Sequence, residues 1–195
     1  QLNASDMRFC NLVDSCLSYT KMQDFLLDVL ELAWQDDVDE NLALLDSILK
    51  RSSYLKEIEN FPSGKVEGEL EKIQSMTNED NLIKIVDNIM GHTIEDEWFT
   101  RGKESLMKGS PTSAHLIWLQ HLNSSNLNLK EVFNFELNLA IQITRIGDFK
   151  EGIRALIIDK DNKPKWKFDS IKNVQQAWID KHTDLAWEIN PLEDL

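Results

Sequence analysis

The chain has 195 residues, 42% of them hydrophobic, with 21 Lys and Arg against 34 Asp and Glu for a net charge of −13. A compact chain of this length buries roughly 70% of the surface its unfolded form exposes and needs no metal or disulfide staple. So acidic a surface repels phosphate backbones and anionic headgroups, which sets aside general binding to nucleic acid or membrane.

Only seven glycines and four prolines punctuate the chain. That favours helices with short connections, because sandwiches and barrels spend glycine on turns. Asn3 or Ser5 is expected to cap a short helix reaching about residue 12. Residues 12–19 alternate weakly and read as a short strand or an extended link. Met22, Phe25, Leu26, Val29, Leu30 and Ala33 follow the i, i+3, i+4, i+7 pattern of a one-faced helix over 22–34. The acidic run Asp36, Asp37, Asp39 and Glu40 caps the next helix, with Lys50 and Arg51 at its basic end. A solvated cap is preferred there over a metal site.

The FPSG tetrapeptide at 61–64 breaks the pattern, and a helix follows through EGELEKIQSM. Thr77 or Asn78 is expected to cap another, with Leu82, Ile85, Val86, Ile89 and Met90 on one face. Gly91 stops it, and Thr93 caps a helix ending near Gly109. Ser110 as N-cap and Pro111 at the first helical position start the next helix. Over 129–146 apolar residues including Val132, Phe133, Phe135, Leu137, Ile141 and Ile143 surround most of a helix, which predicts burial on several sides. Asp148 caps FKEGIRALIIDK, DNKPKW forms a turn, and a final helix covers about 170–181. The fold class expected is all-α, with eight or nine helices and at most one or two short strands.

No self-contained active site is legible. The chain has no phosphate-cradling glycine loop, HExxH or nucleophile elbow. His115 and His121 are six apart, on opposite sides of a helix, so they are not expected to share a metal. His92 and His182 are likewise read as structural or surface groups. Asp159, Asp161 and Asn162 offer oxygens, but Pro164 and Ser170 stand where a calcium loop needs Gly and Glu, so no metal site is assigned. Cys10 and Cys16 are the only cysteines and read as small buried residues in a reducing compartment rather than a disulfide framework. No apolar run reaches the ~18 residues of a membrane span and no signal peptide is visible. The expectation is therefore an intracellular, soluble protein. Lys160, Lys163, Lys165 and Lys167 around Trp166 form the one basic patch. It reads either as a solvated turn or as a place that holds phosphates by charge. The chain opens on Gln1 and enters a helix pattern at once, as expected of a piece of a longer protein.

From Ser110 to Trp166 the sequence "SPTSAHLIWLQHL…EVFNFELNLAIQITRIGDFKEGIRALIIDKDNKPKW" resembles the C-terminal signature of the 3-hydroxyisobutyryl-CoA hydrolases of the crotonase superfamily. The opening LNASDMRFCNLVDSCL is similar to the segment that follows the crotonase core, with Asn11 where that family carries Gly. The resemblance implies three parts. Residues 1–20 would be the tail end of a crotonase-like core, 21–109 a helical insert, and 110–195 a C-terminal helical region.

The resemblance also implies hydrolysis of an acyl-CoA thioester, usually (S)-3-hydroxyisobutyryl-CoA of valine breakdown. The oxyanion hole and catalytic carboxylate would lie on a core preceding Gln1. No catalytic residue is assigned here, and this chain alone is expected to be inactive. Leu156 would pack near the adenine of CoA and Lys160 would pair with its phosphate, sometimes from a neighbouring subunit. Coenzyme A enters as part of the substrate, with no separate cofactor. The segment differs by one residue in length from the AFLEKR run of other crotonases, and the alternative is that it only packs the helical layer. Contacts between like subunits and a bacterial cytoplasm or mitochondrial matrix are the further implications. Two other readings stay open: an enoyl-CoA hydratase or isomerase, and a free-standing acidic helical interaction module.

Overall fold

A computed structural model describes residues 1–51, 54, 61–93 and 96–193. The α-helices are α1 (Ala4–Phe9), α2 (Met22–Leu30), α3 (Val38–Leu49), α4 (Val66–Thr77), α5 (Leu82–Gly91), α6 (Glu97–Lys108), α7 (Pro111–Ser124), α8 (Leu129–Arg145), α9 (Phe149–Ile153) and α10 (Gln176–Thr183). Short 3-10 turns occupy Tyr19–Lys21 and Ile171–Asn173, and α9 runs on into a π-turn, Arg154–Ile158. The described residues contain no strand, so 12–18 is an unpaired link and the fold is all-α.

Several predicted caps move. Thr77 is the last residue of α4, and α5 is capped by Asn81, whose side chain accepts the Ile83 and Lys84 N–H groups. Asp96 rather than Thr93 caps α6, accepting from Trp98 and Phe99. In each case the winner is an Asn amide or Asp carboxylate oxygen placed two or three residues before the orphan donors. The last predicted helix is broken because Val174 and Gln175 are extended, which lets Val174 pack on the core.

The chain forms two compact units, Gln1–Ser75 and Met76–Leu195. The first is organised around Asp6, a carboxylate only 1% exposed. Its Oδ2 accepts the Asn3 N–H at 3.1 Å, closing a capping box in which Asn3 Oδ1 accepts the Asp6 N–H at 2.9 Å. Its Oδ1 accepts the Lys65 and Val66 N–H groups at 2.6 and 2.8 Å, so α1 caps the N-terminus of α4 from about sixty residues away. Burial pushes this carboxyl up, but the Val66, Asn3 and Lys65 donors together hold it below the usual value. Gly64 is required beside it: a Cβ there would lie 2.9 Å from Asp6 Oδ1.

Asp28 of α2 is the second tie in this unit. It accepts from Arg51 at 2.6 Å and from the Tyr54 hydroxyl at 2.8 Å. Burial and the Asp28 hydrogen bond push the Tyr54 hydroxyl up to about 12. The helical pattern of α2 is real, ending at Leu30 rather than residue 34, but Leu26 and Leu30 remain 50% and 77% exposed. Asn11 has φ 53°, in the left-handed region that Gly and Asn tolerate best.

The second unit has the apolar core. Leu116 of α7, Leu139 of α8 and Ile179 of α10 are buried together, with Leu119, Phe135, Ile143, Val174 and Trp178 packed against them. The predicted all-round burial of α8 does not occur: Leu129 and Phe133 are exposed, while Asn138 and Gln142 are buried beside Leu139. The reason is a polar ladder. Asn138 Nδ2 donates to the carbonyls of His182, Thr183 and Asp184, and its Oδ1 accepts the Ala186 N–H. Gln142 donates to the Asp184 carbonyl, Arg145 to that of Ala186 and Lys130 to that of Glu193, while Asn134 accepts from Asn190. One stripe of α8 therefore straps down the segment after α10, and its amides are buried because their partners are main chain.

Candidate functional site

The segment that carries the sequence signature is built from behind by three charged side chains. Asp148 sits at the N-cap position of α9 but its side chain does not cap the helix. Instead it accepts the Ser110 hydroxyl at 2.6 Å and the Lys167 N–H at 3.0 Å, joining the start of α7 to the end of the DNKPKW turn. Glu151 accepts Arg154 Nε and Nη2 at 2.9 and 2.8 Å, and the Lys165 N–H at 2.7 Å. Arg154 Nη1 reaches Asp159 at 2.5 Å and Asp161 at 2.8 Å, and Nη2 reaches the Lys163 carbonyl at 3.1 Å. The fork of a guanidinium is what lets one cation serve four acceptors.

The electrostatics follow from this geometry. The Arg154 hydrogen bond, helped by the Lys165 N–H, pulls the Glu151 carboxyl down to about 2. Arg154 likewise holds Asp161 below its usual value. Glu151, then Asp161 and Asp159, push the guanidinium up, further stabilising its charge.

In front of this frame the backbone widens from α to π, with the Asp159 N–H donating to the Arg154 carbonyl at 2.8 Å. This π-turn is a single wider turn that continues the end of α9. It presents three consecutive apolar side chains to solvent: Leu156, Ile157 and Ile158 are 66%, 57% and 69% exposed. Lys160 follows at φ 54°, exposed, and its ammonium has no partner among the described residues. The two residues singled out from sequence, Leu156 and Lys160, thus lie four positions apart on one projecting turn. An open cleft of about 400 Å³ behind it is lined by Gly147, Asp148, Lys150, Glu151, Arg154 and Ile158.

The basic patch divides. Lys167 Nζ lies 4.3 Å from the centre of the Trp178 ring. Trp166 is an anchor: its indole N–H donates to the Lys108 carbonyl, and its ring lies against Gly152. His115 bonds the Ile171 carbonyl and His121 packs on Trp118. His182 is fully buried, with Nδ1 on the Trp178 carbonyl. The described residues hold no group of three or more His, Cys, Asp or Glu suited to a metal. Sequence reasoning missed Arg154 and Glu151 as the frame. The signal was present in the Glu151/Arg154 spacing and in Asp159 and Asp161, whose oxygens serve the guanidinium.

The chain is 27% identical over 181 residues to "3-hydroxyisobutyryl-CoA hydrolase, mitochondrial" of Danio rerio, covering 93% of this chain and 46% of that protein. It is 31% identical over 153 residues to the Homo sapiens protein of the same name, covering 77% of this chain and 38% of that one. It therefore spans less than half the length of these relatives. Among solved structures, an enoyl-CoA hydratase from Rhodobacter sphaeroides 2.4.1 superposes with a TM-score of 0.67 at 19% identity, covering 93% of this chain and 47% of the other, a likeness of fold. The family model described as enoyl-CoA hydratase/isomerase matches residues 1–183, and the chain belongs to that family.

Proposed function

We propose that this chain is the C-terminal, CoA-facing helical part of an acyl-CoA thioester hydrolase similar to 3-hydroxyisobutyryl-CoA hydrolase, acting in valine breakdown. The thioester chemistry is assigned to residues outside these 195, in keeping with the share of the relatives that the chain spans. The observation that carries the reading is the projecting turn, where exposed Leu156 stands four residues from Lys160, which is unpaired among the described residues. An adenine covers an apolar side chain favourably, and an ammonium beside it pairs with phosphate. In an acidic chain, a cation without a protein partner is suited to an anionic ligand. The turn serves its own subunit's ligand or a neighbour's. The mitochondrial relatives favour the matrix as the compartment, and no helix among the described residues is long and apolar enough to cross a membrane.

A second reading, hydration or isomerisation of an enoyl-CoA, is favoured by the family description itself. Thioester hydrolysis of 3-hydroxyisobutyryl-CoA and hydration of crotonyl-CoA, each measured with the 195-residue chain and with the full-length product of its gene, separate the alternatives. Hydrolysis by the longer protein alone is the expected result. Hydration without hydrolysis would transfer the chain to the second reading. Hydrolysis by the 195 residues themselves would place the catalytic groups among these helices and overturn the assignment.

A further inference from the structure

Lys160 lies between two clamped residues. Asp159 and Asp161, its neighbours on either side, are both bonded to the same guanidinium nitrogen of Arg154, at 2.5 and 2.8 Å. The turn is tied back a second time by the Asn162 N–H on the Ala155 carbonyl at 3.1 Å, and a third by Arg154 on the Lys163 carbonyl. These ties are needed because Lys160 and Asn162 both have left-handed backbones, at φ 54° and 53°. A left-handed Lys is strained and persists only where its surroundings over-determine it.

The clamp has an electrostatic effect as well. Asp159 and Asp161 are the nearest acids along the chain, and left alone each would compete for the Lys160 ammonium. Bound to Arg154, they are satisfied, and the exposed Lys160 has no partner among the described residues. Glu151 supplies the fixed end: it holds Arg154 in two bonds and the Lys165 N–H in a third.

We infer that Arg154 is a positioning residue for CoA recognition, setting the backbone and freeing the charge of Lys160 without itself touching ligand. The inference rests on the assignment of Lys160 to a CoA phosphate. Lysine cannot replace it, because an ammonium has neither the planar fork nor the reach to serve Glu151, Asp159, Asp161 and the Lys163 carbonyl together.

The test uses the full-length enzyme and two substrates, 3-hydroxyisobutyryl-CoA and its pantetheine thioester, which lacks the nucleotide. Lys160→Ala should raise KM for the CoA thioester by about tenfold, the size of one charge-assisted bond. Arg154→Lys should raise it by a similar factor with kcat held, and leave KM for the pantetheine thioester unmoved. Arg154→Lys combined with Lys160→Ala should be no worse than Lys160→Ala alone. Asp161→Asn, a change at an exposed carboxylate, should shift KM in the same direction by a smaller factor, and carries the test if Arg154→Lys does not fold.

If Lys160→Ala leaves KM for the CoA thioester unchanged, the phosphate assignment fails and the inference with it. If Lys160→Ala raises KM while Arg154→Lys and Asp161→Asn do not, the inference alone is overturned. Equal losses with both thioesters would reduce Arg154 to a purely structural role, which also overturns it.

Discussion

The two compact units each depend on a carboxylate that collects backbone N–H groups from a distant turn, and they solve the problem of its charge in opposite ways. In the first unit Asp6 is buried and accepts three N–H donors, from Asn3, Lys65 and Val66. In the second, Glu151 is partly open to solvent, accepts one distant N–H, and shares its charge with Arg154. Oriented amides serve where the carboxylate is buried; a guanidinium serves where the carboxylate is partly open to solvent. The first unit is correspondingly intolerant of change at one atom group, whereas the second spreads its ties over a core, a ladder and a clamp.

The sharpest break in that comparison is Asp6→Ala. It strands the Lys65 and Val66 donors and should cost about 3–4 kcal/mol, from charge-assisted bonds of roughly 1.5–3 kcal/mol each. Urea unfolding followed by helical circular dichroism reads it, and an unchanged midpoint would remove Asp6 from its place at the centre of the first unit. Acid provides a milder version. Asp6 is lowered from 3.8 in the folded protein, so its contribution is complete above that value and lost as pH falls through the folded one. Glu151, lowered from 4.5 to about 2, loses its contribution over that interval. Protection of the Lys165 amide against hydrogen exchange should therefore decline between pH 4.5 and about 2, and a decline starting well above 4.5 would contradict the Arg154 pairing.

Next in size is Gly147→Ala in the second unit. Its Cβ would lie 2.8 Å from the Ile143 carbonyl oxygen and 3.1 Å from His182 Nε2, and overpacking of this kind costs about 2 kcal/mol. A thermal midpoint equal to that of the parent would mean the α8 end relaxes freely. Asn138→Ala should cost about 1–2 kcal/mol by unpairing the Ala186 N–H and removing its bonds to the His182, Thr183 and Asp184 carbonyls, the last of which keeps Gln142. Its distinguishing sign is faster proteolytic cleavage within 184–193, and a strap that stays protected would show that Gln142 and Arg145 suffice. The smallest effect is Asn11→Gly, a few tenths of a kcal/mol at most in either direction at a left-handed position, with Asn11→Ala clearly worse.

Helices were the legible part. The periodicity of 82–90 puts Ile85 inside and Lys84, Asp87 and Asn88 outside, and Ser110-Pro111 starts α7 as its chemistry requires. Caps were legible in position at Asn3 and Ser110 and only as residue types elsewhere: Asn81 and Asp96 displaced Thr77, Asn78 and Thr93, because several polar residues precede each of those helices and only the backbone turn selects one. Of the candidate turn, the sequence singled out Leu156 and Lys160, while its frame was illegible. Asp159 and Asp161 were weighed only as calcium ligands, and Asp148 only as a helix cap, whereas their oxygens turn toward Arg154, Ser110 and the Lys167 N–H.

The sequence by itself determined an all-α chain, the buried face of some of its helices, α5 among them, and the family to which its signature points, since these depend on spacing along a helix and on local chemistry. Tertiary structure alone decided which polar groups are buried and what they hold: Asp6 with Lys65 and Val66, Asn138 with the strap, Arg154 with the turn that carries Lys160. The physical reason is that most of these partners are backbone N–H and carbonyl groups, present at nearly every residue. Composition therefore cannot mark them, and only the folded path of the chain brings one particular peptide group within 3 Å or so of a given side chain.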